Sequence, residues 1–292
     1  MRRAGRVLFH GTLLGLLAGG TMFGLVMVVG YIVMVVGWMF GQIAVPELTV
    51  ARVAFGVLMT VLWGGHILAG LTALLCQCRR SHQLSRWIAR AAVTVSPALA
   101  AAAGRAGSEH PVVEIGADAP YAFTYGVWHP RVAVSTGLVA RAGQDELVAV
   151  LRHEGYHVRH RDPLKVLALR TWAAAFFLIP LIGDVLQRIL DGQELKADRA
   201  AVRQCGVSPV AAALLKATGE PDSAPGTAQA AMGGPALLEA RVIQLETGRG
   251  PRMLTTVRRE TVLRSLPGIA MVAVYGVFLY QLCLAVTVCC VS

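Results

Sequence analysis

The stretch Gln144-Asp145-Glu146-Leu147-Val148-Ala149-Val150-Leu151-Arg152-His153-Glu154-Gly155-Tyr156-His157-Val158-Arg159 decides how the rest of the chain is read. Asp145 and Glu146 suit a first helical turn, where the macrodipole favours negative charge. Leu147, Val148, Val150 and Leu151 supply a side to bury. The segment predicts an amphipathic helix from about Gln144 to Arg159. On that helix His153 and His157 stand one turn apart and face the same way. Two neutral imidazoles at this spacing can bind one zinc ion. Glu154 lies about 100° further round the helix, beside such an ion rather than on it. There it can take a proton from a metal-bound water. The competing explanation is an accidental match, because a five-residue pattern is short.

A hydrolytic zinc site needs a third protein ligand and one open position. Glu194, in Glu194-Leu195-Lys196-Ala197-Asp198, is the candidate. Glu194 and Asp198 share a helical face one turn apart. Glu194 can meet the metal while Asp198 accepts a hydrogen bond from a ligand histidine and so fixes its tautomer. The alternative is a solvated acidic pair beside Lys196 and Arg199, and spacing alone does not choose between them. His160 is a rival ligand. It lies seven residues from His153, roughly 10 Å along a helix, and no glycine at Val158 or Arg159 breaks the helix before it. His160 and Arg161 read instead as an interfacial basic cluster.

Upstream, Val112 to Ile115, Tyr121 to Tyr125 and Arg131 to Ser135 read as short strands. Turn signals at Gly116, Pro120, Gly126 and Pro130 separate them. Tyr121 to Tyr125 suits an edge strand that pairs with a peptide backbone. Tyr125 or His129 is a candidate oxyanion donor, against ordinary strand packing or a turn. Ser81 to Ala103 predicts one helix near the membrane surface, Asp184 to Val202 another, and Ala236 to Glu246 a short one. Residues 217–235 read as a flexible loop.

The flanks are of another character. Hydrophobic residues make up 55% of the 292-residue chain and charged ones 15%, against a usual quarter or so. Apolar runs at about 7–40, 53–75 and 266–291 predict three membrane spans. Arginines 2, 3 and 6, then 79, 80, 86 and 90, then 252, 258, 259 and 264 place their cytoplasmic ends by the positive-inside rule. The net charge of +10 is thereby assigned to membrane orientation; no nucleic-acid motif accompanies it, and no direct nucleic-acid binding is expected. None of the six cysteines has zinc-finger spacing, and all read as free thiols. The expected fold class is an α+β membrane protein, mainly α-helical. Residues 1–78 carry two transmembrane helices, 79–262 form a cytoplasmic domain with a small β-sheet, and 263–292 form a C-terminal transmembrane helix.

The pattern His153-Glu154-x-x-His157, then Arg161-Asp162-Pro163, then Glu194-x-x-Ala197-Asp198-x-x-Ala201 resembles the gluzincin membrane peptidases. It is most similar to the BlaR/MecR antirepressor family, with the HtpX-like family next. Phe123-Thr124-Tyr125-Gly126, Pro130, Val132, Val134-Ser135 and Leu138, together with Arg241-x-x-x-Leu245, extend the resemblance over about residues 110–250. It implies one Zn2+ per chain held by His153, His157 and Glu194. It implies Glu154 as general base and Asp198 as the carboxylate behind a ligand histidine. It also implies a multi-pass protein of the bacterial inner membrane with its active site facing the cytoplasm. BlaR/MecR sensors carry a penicillin-binding domain after the last span; this sequence ends at Ser292, so direct beta-lactam sensing is not expected. The expected activity is zinc-dependent endopeptidase cleavage of a protein or peptide substrate, with a winged-helix repressor as one candidate. Quality control of membrane proteins and a catalytically silent membrane scaffold are the alternatives.

One zinc ion cannot use His153 and Glu194 from opposite sides of a bilayer. The apolar run at 166–182, interrupted by Arg170 and Pro180, is therefore expected not to cross. It reads as a membrane-associated core or re-entrant helix packed on the histidine helix.

Overall fold

The computed structural model describes Val36 and residues 50–217, 235–250 and 259–291. The first expected span, about 7–40, lies outside them except for Val36. The loop at 217–235 lies outside them except at its two ends. The chain divides into two compact units, Met1–Ala69 with Leu266–Ser292, and Gly70–Ser265.

Helix α1, Val50–Ala91, begins in the first unit. Over Ala54–Ala91 it is long and apolar enough to cross a membrane, and among the described residues no other helix meets both conditions. In this unit the buried rings of Trp63 and Tyr275 pack at a tilt of 33°, with centroids 5.3 Å apart. Tyr275 belongs to the last helix, Arg259–Val291, which runs through the third expected span with Pro267 inside it.

The second unit is built around a four-stranded sheet and the histidine helix. Strands β1 (Ala92–Val93), β2 (Val112–Ile115), β3 (Ala122–Tyr125) and β4 (Arg131–Ser135) lie in the order β1-β2-β4-β3. Strands β2 and β4 are parallel, and the other pairs are antiparallel. Strand β3 is thus an edge. Period-2 alternation sorts its residues between two cores. Phe123 and Tyr125 join Ile88 of α1, Ile115 and Ala133 on one face. Val132 and Val134 face the other side, with Leu99, Leu138, Leu147 and Leu151 from helices α2 (Pro97–Ala106), α3 (Thr136–Arg141) and α4 (Gln144–Arg159). Thr124, between Phe123 and Tyr125, is thereby turned toward α4.

Helix α4 has the expected bounds. Leu147 and Leu151 are almost fully buried, each contributing about 1.5–3 kcal/mol. At its start Glu146 accepts a hydrogen bond from Gly143 N at 2.8 Å. Helix α5 is Asp162–Ala175, α6 Pro180–Cys205, α7 Val207–Ala217 and α8 Pro235–Thr247; the helix Arg259–Val291 is α9. Ala149 of α4 and Ala201 of α6 are buried with Val210 of α7. Small side chains at this seam let α4 and α6 approach closely enough to share a site. Gly137 marks another close approach. A Cβ there would lie 1.9 Å from the Asp118 carbonyl oxygen, so the turn into α3 requires glycine.

Two expected helices are corrected. The segment Ser81 to Ala103 is not one helix: α1 ends at Ala91, β1 follows, and α2 starts at Pro97. Proline disfavours helical backbone in the residue before it, and Ser96 is extended at φ −66°, ψ 151°. Ser96 Oγ accepts from Leu99 N, while Ser96 N donates to the buried Glu114 carboxylate at 2.6 Å. The apolar run 166–182 is likewise two helices, α5 and α6, joined by a turn at 176–179. Pro180 takes the first turn of α6, and Ile179 before it sits at φ −121°, ψ 79°. At 14 residues, α5 reaches only about 21 Å, short of the roughly 30 Å hydrocarbon core. The run is therefore not the single helix expected.

Candidate metal centre

Helix periodicity places His153 and His157 side by side on α4, with Nε2 atoms 3.2 Å apart. Helix α6 brings Glu194 to them from 37 residues further along the chain. Its Oε2 lies 3.3 Å from His153 Nε2 and its Oε1 3.4 Å from His157 Nε2. The other ring nitrogens are already engaged. His153 Nδ1 donates to Asp198 Oδ1 at 2.9 Å, and His157 Nδ1 donates to Asp162 Oδ2 at 2.8 Å. With both Nδ1 positions donating, each ring in its neutral form turns an Nε2 lone pair inward, toward the other ring and toward a carboxylate. Three inward-facing electron-pair donors call for a cation between them.

The spacing fits a metal ion. A tetrahedral ion with bonds of about 2.0–2.1 Å separates its ligand atoms by roughly 3.3 Å. The two Nε2 atoms are 3.2 Å apart, and Glu194 sets one carboxylate oxygen 3.3 Å from the first and its other oxygen 3.4 Å from the second. Among the described residues, His153, His157 and Glu194 form the one group with metal-holding geometry. His160, the rival ligand, is outside it. Its Nδ1 donates to the Tyr156 carbonyl oxygen at 2.7 Å, and its ring stacks on Tyr156 with centroids 3.9 Å apart.

Two buried carboxylates orient the imidazoles, and each is anchored from behind. Asp198, fully buried, receives Arg241 Nε and Nη2 from α8, both at 2.8 Å. Asp162 opens α5 and also receives Lys165 Nζ at 2.8 Å. Its position depends on Arg161, whose φ of +52° turns the chain sharply between α4 and α5. The sequence points to Asp198, whereas it marks Asp162 only through the family pattern and as a helix boundary with Pro163, not as a partner of His157. Nor does it pair Asp198 with the guanidinium of Arg241, 43 residues away.

The electrostatics follow the contacts. Burial works against ionised Asp198, but the hydrogen bonds from His153 and Arg241 prevail and bring its pKa down to about 2. Glu194 is held well below the usual carboxylate range: burial opposes this, and the two histidines outweigh it. Burial also opposes a charged His157, yet hydrogen bonds to Asp162 and Glu194 push its pKa up to about 10 in the metal-free chain.

Glu154 projects beside this cluster and is only 9% exposed. Thr124 Oγ1 donates to Glu154 Oε2 at 2.7 Å, which ties the carboxylate to β3. All of these groups line one cavity of about 1310 Å³, walled by α1, β3, α4, α5, α6, α7 and α8. Tyr125 also lines it, whereas His129 is exposed and does not.

An α4 helix with two histidines, completed by a glutamate from a later helix, is the donor arrangement that the gluzincin resemblance implies. Comparison with known proteins points to a peptidase family. The model of Peptidase family M48 matches residues 86–214, which include every one of the three donors. A Protease HtpX homolog of Acidiphilium cryptum is 40% identical over 80 residues, 26% of this chain and 28% of that protein. A namesake from Aeropyrum pernix is 41% identical over 80 residues, 26% of this chain and 25% of that one. A third, from Bordetella petrii, is 36% identical over 90 residues, 30% and 31% of the two chains. The chain thus matches less than a third of the length of these relatives. Both comparisons support the M48/HtpX-like family.

Proposed function

We propose that the protein is a membrane-associated zinc metallopeptidase that hydrolyses peptide bonds of protein substrates. The observation that carries this reading is the convergence of His153 Nε2, His157 Nε2 and the Glu194 carboxylate, with Glu154 beside them. A zinc ion held by His153, His157 and Glu194 would supply Lewis acidity toward a substrate carbonyl and would make a water easier to deprotonate. Glu154 accepts the proton of the attacking water and returns it to the leaving amine. Thr124 holds the Glu154 carboxylate in place for both transfers. Asp198 and Asp162 keep the ring protons on Nδ1, so both Nε2 atoms remain ligands. The edge strand β3, next to Glu154 through Thr124, offers backbone groups to an extended substrate.

We place the site on the cytoplasmic face, because Arg79, Arg80, Arg86 and Arg90 follow the apolar part of α1. The names of the similar proteins favour a general protease, and on that ground we put quality control of membrane proteins first. Cleavage of a winged-helix repressor is the second reading, carried by the BlaR/MecR-like pattern from Phe123 to Leu138. The deciding experiment compares purified full-length wild type with Glu154→Gln for zinc content and for cleavage of an unfolded protein such as casein. We expect equal zinc and Glu154-dependent cleavage. Equal zinc with no cleavage by either protein would favour the silent scaffold.

A further inference from the structure

Helix α6 presents Gln187, Leu190, Asp191, Glu194 and Asp198 to the cavity. These positions form one continuous helical face. Glu194 and Asp198 belong to the metal centre. Asp191 does not, yet it stands one turn before Glu194, an axial step of roughly 4.5 Å. Its carboxylate accepts one hydrogen bond, from Gln187 Nε2 at 2.8 Å. Among the described residues no cation lies within ion-pair distance of it, and Arg188 acts on it only through its more distant charge. Burial and the Glu194 charge make its ionised form costly, so a cation arriving in the cavity would gain from meeting it. The cavity's own cations are placed otherwise: Arg241 is held by Asp198, and Arg80 and Arg170 stand on α1 and α5.

We infer that Asp191 is a specificity residue: it accepts a lysine or arginine side chain of the substrate close to the scissile bond. The inference rests on the peptidase reading above and names the substrate chemistry of that site. A carboxylate in a partly dry wall discriminates by charge more strongly than one at an open surface.

The test uses the full-length protein and a fluorescent peptide series. Each position on either side of a central bond is occupied in turn by Lys, Ala or Glu. Binding is measured on the Glu154→Gln protein, so selectivity is read without turnover, and kcat and KM are measured on protein with Glu154 intact. One position should prefer Lys over Ala by about tenfold, an effect carried mainly by KM. Adding Asp191→Asn should erase that preference, and Asp191→Lys should turn it toward Glu, with zinc content unchanged. The same ranking at every position in all three proteins would overturn the inference and leave the peptidase reading standing. Peptides that bind none of the proteins and are cleaved by none would overturn both.

Discussion

The Nδ1–H of His153 donates to Asp198 at 2.9 Å, and Arg241 grips the same carboxylate through two hydrogen bonds of 2.8 Å. A fully buried carboxylate is thus neutralised from one side and spent on orienting a ligand histidine on the other. Removing the guanidinium leaves a buried charge without its partner, at a cost of about 3–5 kcal/mol. Arg241→Met is therefore expected to lower the denaturation midpoint and weaken zinc binding by roughly 10- to 100-fold. Chelator competition and chemical denaturation read the two effects separately. Arg241→Lys, which keeps the charge but loses the fork, should fall between Met and wild type.

Metal uptake should release protons. In the metal-free chain the His157 pKa is pushed up to about 10 from the ordinary 6.5: burial acts to lower it, and the Asp162 and Glu194 hydrogen bonds prevail. A raised pKa means that the charged ring stabilises the metal-free fold below its unfolded value. That contribution is lost as pH rises from about 6.5 through about 10. A metal ion needs the neutral ring, so zinc must displace this proton at neutral pH. Calorimetric titration in buffers of different ionisation heat should show proton release at pH 7.5, with affinity rising with pH. Asp162→Asn should reduce the number of protons released.

The hydrogen bond from Thr124 Oγ1 to Glu154 Oε2, 2.7 Å long, predicts a catalytic defect without a metal defect. Thr124→Val keeps the shape and removes the donor. It should lower kcat by about tenfold, the equivalent of about 1.4 kcal/mol, while zinc content stays at the wild-type level. Thr124→Ser should restore most of the rate.

Arg161 occupies the left-handed region at φ +52°, which costs a non-glycine residue of order 1 kcal/mol. Asparagine tolerates this conformation and a β-branched residue does not. Arg161→Asn should match or slightly exceed wild-type stability. Arg161→Val should lose about 1–3 kcal/mol in denaturant unfolding and loosen zinc, because Asp162 is the next residue.

The parts of the site that obey a helical period were legible in the sequence. His153, Glu154 and His157 sit on one helix whose bounds follow from Asp145, Glu146 and the apolar face behind them. Glu194 and Asp198 share a second period, and the family pattern connected the two. Asp162 is marked in the sequence by the family pattern alone, and its contact with His157 is not legible there because it depends on a left-handed turn at an arginine, which no propensity marks. The partner of Arg241 is not legible either, because only tertiary packing of α8 on α6 brings it to Asp198. In the fold, Ser96-Pro97 carried a readable stop that the alanine-rich composition of 98–103 obscured. The break between α5 and α6 falls among Phe176, Phe177, Leu178 and Ile179, where hydropathy has no contrast to offer. Pro180, already noted as an interruption of that run, was the remaining sign.

The central claim is that His153, His157 and Glu194 hold one metal ion between them. X-ray absorption at the zinc edge, on full-length protein loaded with one equivalent, tests it most directly. The account predicts two imidazole nitrogens and oxygen donors at about 2.0–2.2 Å, no sulfur, and loss of one oxygen or of the bound metal in Glu194→Ala. Sulfur ligation, or a spectrum unchanged by substitution of Glu194, would contradict it.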